Sequence, residues 1–294
     1  MAAPRCIVEV RWGRLAGTKA IIAPGGTLRV GRTERAALAI EHDGKMSHVH
    51  FELRWEEGRC TLRDLGSIAG TKVGGVPVTE AEVPHGGWVQ AGETDFAVYF
   101  EDRTVPYEDE DEDEDEDKPD FVEQARHEAA EAAVSVLRNE ARSEPLYAVL
   151  DAAREDRILA LLREHVEPHR SLYEGAEGEP LEEVAPYLVG PMREDSALLE
   201  RLVREGWGKR WGIWCTSREP FREVRRHWRR FLMVELDESG ERVYFRFYDP
   251  AVLVTFMATA NEEQRSSVNA ILSGILAEDE DNDFDVWRTP RALS

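Results

Sequence analysis

At 294 residues the chain has the length of two ordinary domains, and its 42% hydrophobic content is that of a folded protein with cores to bury. A net charge of −22 repels phosphate backbones and excludes nucleic acid as the expected partner. Cys6, Cys60 and Cys215 form neither a disulfide framework nor a zinc pattern, no basic-then-apolar leader opens the sequence, and the longest apolar run, AVLVTFMATA from Ala251, is about half a membrane span. A reducing cytoplasm is therefore the expected compartment, with no membrane contact.

Residues 1–106 are nearly neutral, with 13 Lys and Arg against 14 Asp and Glu. Within them come short alternating runs punctuated by Gly and Pro: CIVEVRW, KAIIAP, TLRVGR, HVHFELRW, RCTLRDL, WVQAG and DFAVYF. Many short strands at close spacing, with no helical pattern between them, predict an all-β sandwich. Next comes YEDEDEDEDEDKPD, Tyr107 to Asp120, ten alternating acids without an apolar residue. Its i,i+4 neighbours repel and nothing in it can be buried, so residues 107–119 are expected to be a disordered acidic linker reaching up to roughly 45 Å.

Residues 120–143 are Ala- and Glu-rich with an Asp cap and a thin apolar face, which predicts a helical stalk. Strand and helix then alternate over 144–277, from the strand PLYAVLD and the helix AAREDRILALLREH to the buried strand KRWGIWCTS and the helix PFREVRRHWRRFL. MVELD and ERVYFRFYD are expected to pair, and PAVLVTFMATA and NEEQRSSVNAILSGIL to close the domain as helices, with an acidic tail over 278–294. The fold class is thus multi-domain: an all-β sandwich followed by a mixed α/β domain.

Three pieces of the first domain combine. VGR places Gly31-Arg32 at the end of a strand, SHVHF places Ser47 and His50 at the start of another, and DLGSIAGTKVGG follows about fifteen residues later. In this order they resemble the forkhead-associated (FHA) domain, an eleven-stranded sandwich that binds phosphothreonine peptides through loops at one end. The resemblance implies that Arg32 supplies a guanidinium and Ser47 a hydroxyl to the phosphate, that His50 ties neighbouring loops, and that Gly70 and Thr71 shape the opening loop. The chain departs from the family where His48 follows the serine and where Ile68 and Ala69 replace polar residues that grip the peptide backbone. Each lost side-chain hydrogen bond is worth about 1 kcal/mol, so weak binding is expected, the alternative being a degenerate domain that uses another surface. A His48–His50 metal pair is not expected, since same-face strand neighbours pack or hydrogen-bond.

In the second domain YAVLDAARE, SLYEG, EEVAPYLV, REGWGKRWGIW, FREVRRHWRRFL and FRFYDPAVL keep an order similar to that of a family first catalogued as a domain of unknown function, the type VI secretion effector chaperones or adaptors. That resemblance implies a cytoplasmic bacterial protein that binds a secreted effector and helps load it onto the secretion spike. On the residues themselves, Phe221, Val224, Trp228 and Phe231 form an apolar stripe, and Arg222, Arg225, Arg226 and Arg229 spread over the other side of that helix. Those arginines are either a solvated face or a basic patch for an acidic partner. Trp207 and Trp211 are either core or interface anchors. No G-x-S-x-G, H-E-x-x-H or phosphate loop occurs, GWGKRWG has the wrong spacing for a dinucleotide loop, and nothing places Cys215 beside His227 as nucleophile and base. A non-enzymatic adaptor without cofactor or metal is expected. The alternative is a phosphothreonine-dependent scaffold that couples kinase signalling to secretion.

Overall fold

The computed structural model describes residues 3–12, 14–104, 120–173, 179–235, 240–279 and 283–288. The expected acidic linker lies outside them. The chain divides into two compact units, one of Met1–Val105 with Arg163–Pro168, the other of Pro106–Leu162 with His169–Ser294.

The first unit carries eleven strands among the described residues: β1 (Cys6–Val10), β2 (Lys19–Ile22), β3 (Thr27–Gly31), β4 (Leu38–Ala39), β5 (Phe51–Glu56), β6 (Arg59–Asp64), β7 (Thr71–Val73), β8 (Val76–Val78), β9 (Glu80–Val83), β10 (Gly87–Ala91) and β11 (Thr94–Phe100). They form two sheets, ordered β2-β1-β11-β10-β7-β8 and β4-β3-β5-β6-β9. Alternation decides which side chains go inside. Phe51, Leu53 and Trp55 of β5 are buried between the sheets, while Arg54 and Glu56 face water. Leu28 and Val30, Cys60 and Leu62, Val8 and Phe96 complete that core. Gly74 and Gly75, at φ of 57° and 81°, supply the two left-handed residues of the β7–β8 hairpin.

The second unit begins with α1 (Asp120–Ser143) and continues through β12 (Leu146–Asp151), α2 (Asp156–Glu164), β13 (His169–Ser171), β14 (Pro186–Met192), α3 (Ala197–Gly206), β15 (Gly212–Thr216), α4 (Phe221–Arg229), β16 (Met233–Glu235), β17 (Arg242–Tyr244), α5 (Pro250–Thr259), α6 (Glu262–Asn269), β18 (Gly274–Glu278) and β19 (Phe284–Arg288). Six strands make an antiparallel sheet, β13-β14-β12-β15-β18-β19, and β16 with β17 is a separate ribbon. Every residue of β12 is buried because both faces of the sheet are covered. Leu146, Ala148 and Leu150 join Val134, Leu137, Leu161 and Leu202 on one side. Tyr147 and Val149 join Val224, Trp228, Leu253 and Met257 on the other.

Three expectations are corrected here. The helix from Asp120 is not a free stalk, since Ala130, Ala133, Val134 and Leu137 are buried in the core with α3; small Ala side chains let it lie close, which made its apolar face look thin. GILAE is a strand and not the end of the last helix. Residues 274–278 are all buried, and a short run buried on both faces shows no period that tells strand from helix. The acidic tail is broken by β19, which pairs with β18 from Gly274↔Arg288 to Glu278↔Phe284. No helix among the described residues is long and apolar enough to cross a membrane.

Candidate functional site

The loops at one end of the sandwich converge through the backbone of Gly31. A Cβ there would lie 2.4 Å from the His48 carbonyl oxygen and 2.7 Å from the Val49 Cα, so only glycine lets β3 end against the loop that precedes β5. The Arg32 N–H then donates to the Ser47 carbonyl at 2.9 Å, and the Thr33 hydroxyl to that of His48 at 3.1 Å. Arg32 and Ser47 thereby become neighbours although fifteen positions separate them.

His50 locks this loop to the next one. It is fully buried; its Nδ1 accepts the Ser47 N–H at 3.0 Å, which leaves the proton on Nε2 to donate to the Gly70 carbonyl at 3.1 Å. From the second loop the Ile68 N–H donates to Ser47 Oγ at 3.1 Å. Asp64 builds that loop: Oδ1 accepts the Gly66 and Ser67 N–H groups at 2.8 Å each, and Oδ2 the Ser67 and Thr71 hydroxyls at 2.6 Å each. Burial pushes its carboxyl up, but these donors outweigh burial and hold it below the usual carboxylate range. Asp43 does the same for the loop around Gly44, accepting from Lys45 and Met46 N–H, from Glu93 N–H and from the Thr94 hydroxyl. Neither aspartate was singled out from sequence. The Asp-x-Gly-Ser spacing of an Asx turn was the available signal for Asp64.

The chemistry left over suits a dianionic oxygen ligand. Arg32 is half-buried and uses one N–H on the Gly44 carbonyl at 3.3 Å, leaving most of its five donors. Ser47 Oγ accepts from Ile68 and keeps its own hydroxyl hydrogen to donate. A guanidinium and a hydroxyl on neighbouring loop positions are donors of the kind a phosphate monoester takes. Ile68 is 97% exposed and Ala69 is exposed, so their side chains offer apolar surface and no hydrogen bond. His48 is exposed where His50 is buried, and no group of three possible metal ligands occurs among the described residues.

In the second unit the structure divides the arginines of α4. Arg225 is buried, donating to the Ser171 and Tyr173 carbonyls at 2.8 and 3.1 Å, and Arg229 donates to the Leu172 carbonyl at 2.9 Å. Those two hold the end of β13 and do not form part of a binding face. Arg222 and Arg226 are exposed, Arg226 pairing with Glu223 at 3.3 Å. Arg230, which sequence reasoning passed over, extends the same i,i+4 row. Trp207 and Trp211 are each 4% exposed, Trp207 against the Phe284 ring and Trp211 donating to Glu155 at 2.9 Å, so both are core and not interface anchors.

Burial pushes the Cys215 thiol up to about 12 and the His227 imidazole down to about 4, and both His227 nitrogens are spent, on the Val268 carbonyl and on Arg230. Neither residue is poised as nucleophile or base. The Arg246 and Asp249 side chains take other partners. Arg246 bonds Asp151 at 2.6 Å, and Asp249 caps α5 while binding Arg154 and Arg210.

The family model of the FHA domain matches residues 28–92, and that of the domain of unknown function DUF4123 matches residues 146–267. Among solved structures, a chain from a study of phosphothreonine-dependent FHA domain interactions is 25% identical, covering 32% of this chain and 95% of its own at a TM-score of 0.30. The FHA domain of an Arabidopsis thaliana hypothetical protein is 30% identical, covering 34% and 88% at 0.32. That of the CT664 protein from Chlamydia trachomatis is 22% identical, covering 32% and 96% at 0.31. None of the curated proteins matches this chain.

Proposed function

On the premise that this chain joins an FHA domain to a DUF4123 domain, we propose that it is a non-enzymatic adaptor of type VI secretion, binding an effector through its second unit and a phosphothreonine protein through its first. One observation carries the reading: a single chain joins Arg32 to Ser47 through a backbone hydrogen bond on the FHA loops and continues into a domain matched by the DUF4123 model, a family associated with effector adaptors. The exposed arginines Arg222 and Arg226 are the proposed effector contacts, residues 107–119 a spacer between the two modules, and the cytoplasm the place of loading. The spike is the destination of the complex.

Phosphothreonine binding is proposed to be weak, with Kd above about 10 μM, because Ile68 and Ala69 leave the peptide backbone without side-chain partners. The test co-expresses the full chain with a toxin encoded beside a type VI spike and follows soluble complex by size exclusion. In parallel it titrates phosphothreonine peptides by calorimetry. Arg32→Ala is expected to abolish peptide binding and leave the toxin complex intact. A toxin that stays insoluble or unbound with the wild-type chain would overturn the adaptor reading. Loss of the toxin complex in Arg32→Ala would favour the scaffold alternative, in which phosphorylation governs cargo.

A further inference from the structure

The stripe of α4 that faces the core runs out into an apolar groove. Phe231 at its end, Val234 and Val243 of the β16–β17 ribbon, Phe245, and Phe256 and Val268 from α5 and α6 line a recess of about 460 Å³. Val234 and Val243 pair across the ribbon and both line the recess, with the 41% exposed Tyr244 at its edge. A recess of this size takes two or three large apolar side chains.

Its surroundings state the charge of the occupant. Arg222, Arg226 and Arg230 lead along the exposed row of α4 to Phe231, and the Arg230 guanidinium lies 5.9 Å from the Phe231 ring centroid. Arg222 has no side-chain partner among the described residues, and the Arg230 guanidinium bonds the His227 ring and lies beside Phe231. Glu223 offsets Arg226, Glu219 and Glu223 line a second, smaller recess with Arg226 and Arg230, and Glu235 lines the apolar one. On a chain of net charge −22 this is a local cationic row beside an apolar recess. The groove walls are side chains. An extended peptide lying on them would leave its own N–H and C=O groups unpaired, whereas a helix brings its backbone bonds with it.

We propose that this groove docks an amphipathic helix of a protein partner, with apolar side chains in the recess and carboxylates toward Arg222, Arg226 and Arg230. The proposal rests on the adaptor reading and names the surface that would hold the cargo.

The probe is a fluorescein-labelled sixteen-residue helical peptide with Leu at positions i, i+3, i+4 and i+7 and Glu on its polar face. Its anisotropy is read against the full chain. Saturable binding is expected, weakened at least tenfold by Val243→Glu and at least fivefold by Arg222→Glu with Arg230→Gln, both exposed positions, the glutamine keeping a donor for the His227 ring. A peptide with Lys in place of Glu is expected to bind at least tenfold more weakly.

Equal binding of the Lys peptide, tighter binding of an alternating Val-Glu strand peptide, or no binding by the wild-type chain overturns the proposal. So does a dimer in sedimentation that Val243→Glu dissociates, since a second copy would then fill the groove. A toxin complex that survives both sets of substitutions overturns the groove while leaving the adaptor reading in place. A wild-type chain that binds the peptide but retains no toxin overturns the adaptor reading alone.

Discussion

Replacing His50 by Ala removes the buried side chain that, together with Ser47 Oγ, ties the two recognition loops. The Ser47 N–H loses its acceptor at 3.0 Å and the Gly70 carbonyl its donor at 3.1 Å, and a fully buried imidazole leaves a void. The Ser47 amide is partly buried, so its lost bond costs about 1–2 kcal/mol. The Gly70 carbonyl can turn to water and costs less, and the void adds about 1 kcal/mol. The total is about 3 kcal/mol, which corresponds to roughly 150-fold faster amide exchange where exchange proceeds through opening of these loops. Hydrogen exchange read by mass spectrometry on the full chain is expected to show that acceleration in peptides spanning residues 47–71, with those spanning 197–216 unchanged. His50→Asn keeps an acceptor near the Nδ1 position and should lose about half as much. Unaltered exchange over residues 47–71 in His50→Ala would refute the claim that His50 holds the loops.

Ala69→Asn restores a polar side chain beside Ser47 and is expected to tighten a phosphothreonine peptide about fivefold in calorimetry, equivalent to roughly 1 kcal/mol. Arg225→Met strips the Ser171 and Tyr173 carbonyls of their donor and should cost about 2–3 kcal/mol in urea unfolding, whereas Arg226→Met on the same helix should cost under about 0.5 kcal/mol. Burial raises the Glu278 carboxyl from 4.5 to about 6, so the folded state holds that proton more tightly, and its contribution is lost as pH rises through this range. Glu278→Gln, which keeps an acceptor for the Gly208 N–H, should therefore be more stable than wild type by about 1–2 kcal/mol at pH 7.5 and no more stable at pH 4. His227 has the opposite sign: its pKa falls from 6.5 to about 4, the unfolded chain takes the proton first, and stability falls by up to about 3 kcal/mol as pH drops through that interval. Denaturant unfolding of His227→Gln across pH 4 to 7 should show a shallower slope.

Local patterns alone determined much of this protein. Alternation along FELRWE identified the sandwich because one face of such a strand is wet, and the order VGR, SHVHF, DLGS carried the resemblance that pointed to Arg32 and Ser47. Where burial surrounds an element the pattern is lost, so GILAE read as helix and the pairing of β19 could not be seen. Side-chain duty was decided only in three dimensions. Arg225 and Arg226 are adjacent in sequence and identical in chemistry, yet one faces the carbonyls at the end of β13 and the other faces solvent. Trp207 and Trp211 are buried because α3 and the strand after it close over them. The groove between α4, the ribbon and the last helices draws on residues from Phe231 to Val268, and no stretch of sequence records that their apolar surfaces meet and remain uncovered. Contact between distant residues is a property of the packed chain, and each of these assignments rests on one.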